Sequence, residues 1–154
     1  MTSLDKCQEF FPSNVISKRL SMPALLCCKL IVKKNKMKNL KNATELYQLI
    51  NSGKLMDGFE KFYHPNVVMQ EVGEAPRNGK DANREYEKNF FGMIKEFHGS
   101  GVSSITSNEA ENKTTVESWM DITFNNDATR VKMEQVAVQT WIGNQIIKEV
   151  FYHK

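Results

Sequence analysis

The segment Glu134-Gln-Val-Ala-Val-Gln-Thr-Trp-Ile-Gly143-Asn-Gln145-Ile-Ile-Lys-Glu149-Val-Phe-Tyr152 decides how this chain folds. Its β-branched and aromatic residues fall into two runs separated by Gly143-Asn144, the composition and spacing of a β-hairpin. Upstream, Val102–Ser107, Thr114–Phe124 and Arg130–Trp141 have the same character and are divided by Asn-, Asp- or Gly-containing turns, so that with Ile146–His153 four strands follow one another as an antiparallel meander.

The preceding part of the chain is helical in period. Asn42 followed by Glu45 has the form of a capping box, Leu46, Leu49 and Ile50 share one face, and Gly53 marks a stop. Leu55, Met56, Phe59, Phe62 and Tyr63 predict a second short helix ended by Pro65. Val67–Val72 reads as a strand and Gly73–Gly79 as a turn-rich connection. Ala82, Tyr86, Phe90, Met93 and Phe97 then recur at four, four, three and four residues, which predicts a long amphipathic helix closed by Gly99 and Gly101. Asn83, Arg84, Glu87, Lys88 and Lys95 form its polar side and are expected to face water. Three apolar helix stripes need a partner surface, and the sheet is the only one large enough, so the fold class is α+β, with the helices packed on one face of an antiparallel sheet.

Charge and cysteine distribution divide the chain at Met37. Residues 1–36 hold seven Lys/Arg against two Asp/Glu, whereas residues 37–154 hold 14 against 16. The first part, with Pro12, Pro23 and no sustained period, reads as a disordered basic extension; a degenerate secretory signal and acylation at Cys27 and Cys28 are the alternatives. All three cysteines, Cys7, Cys27 and Cys28, lie there, so the 37–154 domain is held by packing without disulfides. Its slight acidity argues against nucleic acid as a partner. The longest apolar run, Met22–Val32, is interrupted by Lys29 and too short to span a bilayer. A cytoplasmic protein with no membrane partner is the expectation. Apolar residues on both faces of the later strands, with Val136 and Val138 alternating with Met133, Ala137 and Trp141, predict a homodimer through the face that the helices leave uncovered.

The order of these elements, from the helix ending at Gly53 through Phe59 and Phe62, Val67–Val72 and Pro76-Arg-Asn-Gly79 to the closing hairpin with its Ile146-Ile-Lys-Glu149 strand, resembles the SnoaL-like, nuclear transport factor 2-like superfamily over about Lys41 to His153. The resemblance implies a cone-shaped fold with a pocket between helices and concave sheet. Activities in that superfamily include polyketide cyclisation, ketosteroid isomerisation and dehydration, alongside ligand carriage and non-catalytic scaffolding, so the resemblance implies a pocket without choosing its chemistry.

Glu134 is the first candidate for that chemistry. Period-two alternation puts it on the side of β-branched Val136 and Val138 and of Ile142, where a carboxyl that lines a dry pocket would be held protonated and could shuttle a proton; the resemblance places an acid near here too. The alternative is a solvent-facing glutamate paired with Lys132 or Arg130. Gln70 shares a face with Val68 and Val72 and stands, by the resemblance, where the isomerases carry a carboxylate base; an amide cannot remove a proton, which leaves it as a ligand-orienting group. Glu71 is expected to point the other way, into solvent. Tyr47 lies one place from the position that supplies a phenol in the isomerases, and Tyr63 and Tyr86 are alternatives for that role. Phe62, Phe90 and Trp119 are expected to line the pocket, and Glu149, between Ile147 and Phe151, to approach Glu134 within it, while Asp121 is a further acid on an apolar strand. His64, His98 and His153 lack partners at ligand spacing, and no nucleotide or phosphate motif occurs, so neither metal nor cofactor is expected. The expected occupant is a small apolar or aromatic molecule, acted on by cofactor-free proton transfer or simply bound.

Overall fold

A computed structural model describes residues 37–153. The expectations for residues 1–36, including all three cysteines, lie outside the described residues. Two helices, α1 (Lys38–Asn51) and α2 (Leu55–Phe62), lead directly into β1 (Tyr63–Glu71) and the two-residue β2 (Arg77–Asn78). Helix α3 (Lys80–Gly92) then delivers the chain to β3 (Ile94–Asn108), and β4 (Lys113–Phe124), β5 (Arg130–Ile142) and β6 (Gln145–His153) complete a six-stranded sheet of order β2-β1-β6-β5-β4-β3. Among the described residues, no helix is long and apolar enough to cross a membrane.

The α+β class is as expected, but the sheet is mixed rather than antiparallel. The meander starts at the far edge with β3 and works back, so that β6 arrives beside β1 running in the same direction and pairs with it in parallel. Register shifts interrupt the β3–β4 ladder at three places. Each such irregularity bends and twists the strand pair, which curls this side of the sheet around the space under the helices.

Three local readings are corrected by the structure. Helix α1 begins at Lys38, so Asn42 and Glu45 lie inside it and form no capping box. Its start is instead capped from outside: the Glu109 carboxylate, on a short 3-10 turn after β3, accepts hydrogen bonds from Asn39 N (3.1 Å) and Leu40 N (2.9 Å). The second helix ends at Phe62, and Tyr63 opens β1. Helix α3 stops at Gly92, not at Phe97. There the turn between β4 and β5 caps it, with Asn125 N donating to Met93 O (2.8 Å) and Asn125 Nδ2 to Gly92 O (2.9 Å). Met93, Phe97, Gly99 and Gly101 therefore follow the helix, and Phe97 and the two glycines pair with β4. Their helical spacing was coincidental.

The faces of α3 are also turned relative to expectation. Asn83 is fully buried, its Nδ2 donating to Arg77 O (3.0 Å) and Gly79 O (2.8 Å) and its Oδ1 accepting from Arg77 Nε (3.3 Å). Lys80 and Arg84 tie the same helix to α2 through Glu60. With Asn83 drawn inward, Glu87, one turn further along, comes to face the sheet, while Tyr86 and Met93 are exposed.

The core under α1 and α2 consists of Ala43, Leu46, Phe59, Phe62, Val67, Met69, Val116, Trp141 and Ile146. Phe62 meets Trp141 edge-on at 6.3 Å and belongs to this packed layer; it does not line the pocket as expected.

Candidate functional site

Beside that core the helices and the concave sheet leave a cavity of about 340 Å³. Its wall is mostly apolar: Leu46, Ile50, Phe59, Met69, Phe90 and Phe151. The polar groups that reach it come from separate elements, Tyr47 from α1, Glu87 from α3, Tyr63 and Glu71 from β1, and Glu149 and His153 from β6.

Glu149 is 1% exposed. Oε2 accepts from the Tyr63 hydroxyl at 2.5 Å and Oε1 from Gln139 Nε2 at 2.7 Å. Gln139 is itself buried and stands opposite Glu149 in the β5–β6 register; its Oε1 accepts from Thr114 Oγ1 (2.7 Å), which in turn accepts from Trp141 Nε1 (2.8 Å). Burial pushes the Glu149 carboxyl up to about 7, and the nearby charges of Glu87 and Glu71 push the same way, while the hydrogen bonds from Tyr63 and Gln139 hold it back.

Glu87 reaches the same cavity from the helix layer. Desolvation raises its carboxyl to about 7 as well; Arg77 opposes the rise and Glu71 adds to it. Glu71 is bound on both oxygens, Oε1 by Arg77 Nη2 (3.1 Å) and Oε2 by His153 Nε2. The Arg77 guanidinium also lies over the Tyr86 ring at 3.6 Å, which makes Arg77, Tyr86 and Glu71 one cluster at the cavity edge. Burial drives the Tyr47 and Tyr63 phenols far above the ordinary tyrosine range, and the neighbouring Glu149 carboxylate adds to both, so each serves as a neutral hydroxyl.

Trp119 stands at the cavity rim but turns its indole to the outer face, under Lys132 Nζ (5.1 Å) and opposite Glu134 in the β4–β5 register. Among the residues singled out from sequence, Tyr47, Tyr86, Phe90 and Glu149 border the cavity. Glu134 does not. On β5 the cavity is met by Met133 and Gln135, and Ala137, Gln139 and Trp141 continue that buried side; Glu134 has the opposite parity, sharing the outer face with the exposed Ile142. Its Oε1 lies 3.4 Å from Lys132 Nζ, the pairing that was the alternative reading. Glu134 and Glu149 thus stand on opposite sides of the sheet.

Gln70 is likewise displaced. β1 turns Tyr63, Val67, Met69 and Glu71 inward, and Gln70 Nε2 donates to Glu74 O (2.9 Å) away from the cavity. Three consecutive apolar residues, Val67, Val68 and Met69, leave the phase of this strand open in the sequence, and the wrong choice exchanges Gln70 with Glu71. His64 and His98 do not reach the cavity either. His64 accepts from Asn66 N, and His98 pairs with Thr123 Oγ1.

Glu87, Gln139 and Thr114 were not anticipated. The available signal for the last two was their polarity within otherwise apolar strands; Glu87 carried none, because its neighbours Arg84 and Lys88 place it on a charged helix face.

Cone, cavity and closing hairpin together agree with one family. The sequence matches the SnoaL-like domain over residues 37–153. The chain belongs to the SnoaL-like domain family. Its fold is shared by a SnoaL-like polyketide cyclase candidate from Mesorhizobium loti (TM-score 0.64, 23% identity, covering 73% of this chain and 97% of that one). The epoxide hydrolase/cyclase-like enzyme SalBIII of pyran ring formation in salinomycin has the same architecture (TM-score 0.64, 21% identity, 77% and 92% covered). So does a nuclear transport factor 2-like protein of unknown function from Burkholderia pseudomallei (TM-score 0.64, 12% identity, 76% and 91% covered). At these identities the likeness is one of fold. Among curated proteins, nothing matches the chain.

Proposed function

We propose that this SnoaL-like domain binds a small, largely apolar or aromatic molecule in the 340 Å³ cavity and moves a proton on it without a cofactor. The observation that carries the reading is the presence of two carboxyl groups, Glu149 and Glu87, both held at about 7 and both facing one apolar cavity from opposite layers of the fold. A group that is half protonated near neutrality can both take and return a proton, which is the requirement for general acid-base work. Neutral Tyr47 supplies a hydroxyl donor for an oxygen on which charge develops, and Tyr63 is a second donor once its hydroxyl is released from Glu149.

The test begins with binding. Thermal unfolding is followed with a panel of mono- and bicyclic aromatic ketones, phenols and hydrocarbons; a compound at about 100 times its dissociation constant adds about 2.7 kcal/mol. Solvent deuterium exchange into the carbon acids of the binders is then compared between the wild type, Glu87→Gln and Glu149→Gln. The reading expects exchange that either substitution slows at least tenfold. A panel without a single stabilising compound rejects the binding half, and exchange that survives both substitutions rejects the proton transfer.

A second reading, a binding module without turnover, is favoured by the fact that both Glu149 oxygens already hold protein partners. It expects ligands to bind Glu149→Gln as they bind the wild type, with no exchange in either. We further propose that the outer sheet face carrying Val136 and Val138 pairs two copies of the domain; a monomeric mass by light scattering at micromolar concentration contradicts this.

A further inference from the structure

Trp141, Thr114 and Gln139 form a buried hydrogen-bond chain whose direction is fixed at its far end. An indole N–H can only donate, so Thr114 Oγ1 receives at Trp141 (2.8 Å); the hydroxyl keeps its own hydrogen for its other neighbour and donates it to Gln139 Oε1 (2.7 Å), the arrangement that also leaves the Gln139 amide nitrogen for the Glu149 carboxyl. The amide nitrogen of Gln139 is thereby turned to Glu149, where it donates to Oε1 (2.7 Å). Oε1 is consequently an acceptor in every protonation state. A proton that Glu149 takes up has to sit on Oε2, against the Tyr63 oxygen 2.5 Å away.

The consequence falls on Tyr63. With Glu149 ionised, the phenol gives its hydrogen to Oε2. With Glu149 neutral, Oε2–H donates to the phenol oxygen, and the phenol hydrogen must go elsewhere; the cavity that Tyr63 lines lies on that side of the ring. We propose that the Trp141-Thr114-Gln139 chain makes Tyr63 a switched donor, presenting its O–H to the cavity when Glu149 is protonated and withdrawing it when Glu149 is ionised, so that the domain selects ligands bearing a carbonyl or ether oxygen at that point.

Proton transfer follows the same route. The Tyr63 O–H bond breaks as the ligand oxygen gains that hydrogen, and the phenol is restored by the proton from Glu149 Oε2. The net change is one proton moved from Glu149 to the ligand, with Tyr63 neutral before and after. Tyr63 is the catalytic residue of this step, and Thr114 and Gln139 are positioning residues. The other titratable or charged groups around Tyr63 and Glu149 are Tyr47 on α1, Tyr86 and Glu87 on α3, Glu71 on β1, Arg77 on β2 and His153 on β6. Of these, Glu87 titrates in the same range, and Glu87→Gln is the background for the experiments.

The inference rests on the proposed ligand pocket only for its second arm. In the first, the Glu149 carboxyl is followed by 13C NMR in glutamate-labelled protein, with Glu149→Gln providing the assignment. Thr114→Val removes the hydroxyl, frees the Gln139 amide to turn its oxygen toward Glu149, and should tighten proton binding there about tenfold. Thr114→Ser keeps the hydroxyl and should titrate as the wild type does. An unchanged titration in Thr114→Val, or an equal shift in Thr114→Ser, overturns the fixed polarity.

In the second arm, 1-indanone and indane are compared. They share a bicyclic frame, and only the ketone offers an acceptor. Indanone should bind about tenfold more tightly than indane near pH 5.5, and the advantage should vanish near pH 8.5 and in Tyr63→Phe. A pH-independent advantage, or one that survives Tyr63→Phe, overturns the switch. If neither compound binds, the selection of oxygen-bearing ligands falls together with the pocket reading, while the first arm still decides the polarity of the chain.

Discussion

Replacing Glu149 by glutamine should make the domain more stable above neutral pH and leave it unchanged in mild acid. The folded carboxyl sits at about 7 against an ordinary 4.5. At about 1.36 kcal/mol per pK unit, that difference corresponds to about 3 kcal/mol. Because the folded value is the higher one, the folded state binds the proton more tightly. The stabilisation linked to it is fully present below about pH 4.5 and is lost as the pH rises through about 7. Glutamine reproduces the neutral acid in this setting, since its oxygen can accept from Gln139 Nε2 and its amide can donate to the Tyr63 oxygen. Urea unfolding at intervals from about pH 4.5 to pH 8.5 should therefore show the wild type losing about 3 kcal/mol relative to Glu149→Gln across that range. Glu87, which also rises to about 7, contributes a loss of the same sign in both proteins, and repeating the comparison on Glu87→Gln separates the two groups. Parallel stability curves for the wild type and Glu149→Gln would refute the claim that the buried carboxyl resists ionisation.

Two further outcomes test how the cavity is framed. Glu109→Ala removes the carboxylate that accepts from Asn39 N and Leu40 N, and should cost about 1 kcal/mol in urea unfolding while hydrogen exchange accelerates at those two amides; unchanged exchange would show that the cap contributes nothing. Gly101→Ala places a methyl carbon 2.7 Å from Trp119 Nε1, so the indole must leave its position across β3; a loss of about 1–3 kcal/mol and a shifted tryptophan emission are expected, and an unaltered emission spectrum would contradict the contact.

Periodicity made most of the elements legible. The hairpin at Gly143, the stop at Gly53 and the strands after Val102 follow from composition alone, because turn residues and β-branched runs act locally. Facing was harder to read. β5 carries apolar side chains on both sides, Val136 and Val138 outward and Ala137 and Trp141 inward, so an acid of either parity looks equally out of place, and alternation alone points Glu134 to the wrong side. Burial of Glu149 depends on its being opposite Gln139, a matter of register between strands that alternation within one strand does not specify. The inward turn of Glu87 comes from Asn83 bonding to the backbone of Arg77 and Gly79, an interaction with no periodic signature. Parallel pairing of β1 with β6 joins segments 80 or more residues apart, and local patterns carry no information about it.

That parallel joint also orders events during synthesis. Tyr63 leaves the ribosome with the first helices, but its partner Glu149 emerges only with β6, after every other described strand. A nascent chain that has reached Gly143 carries the roof and most of the floor, yet its first strand has no neighbour on that flank and its cavity, which already has Glu71 and Glu87, lacks Glu149. Closure of the cavity is thus postponed until the last strand slides between two edges that have been waiting for it.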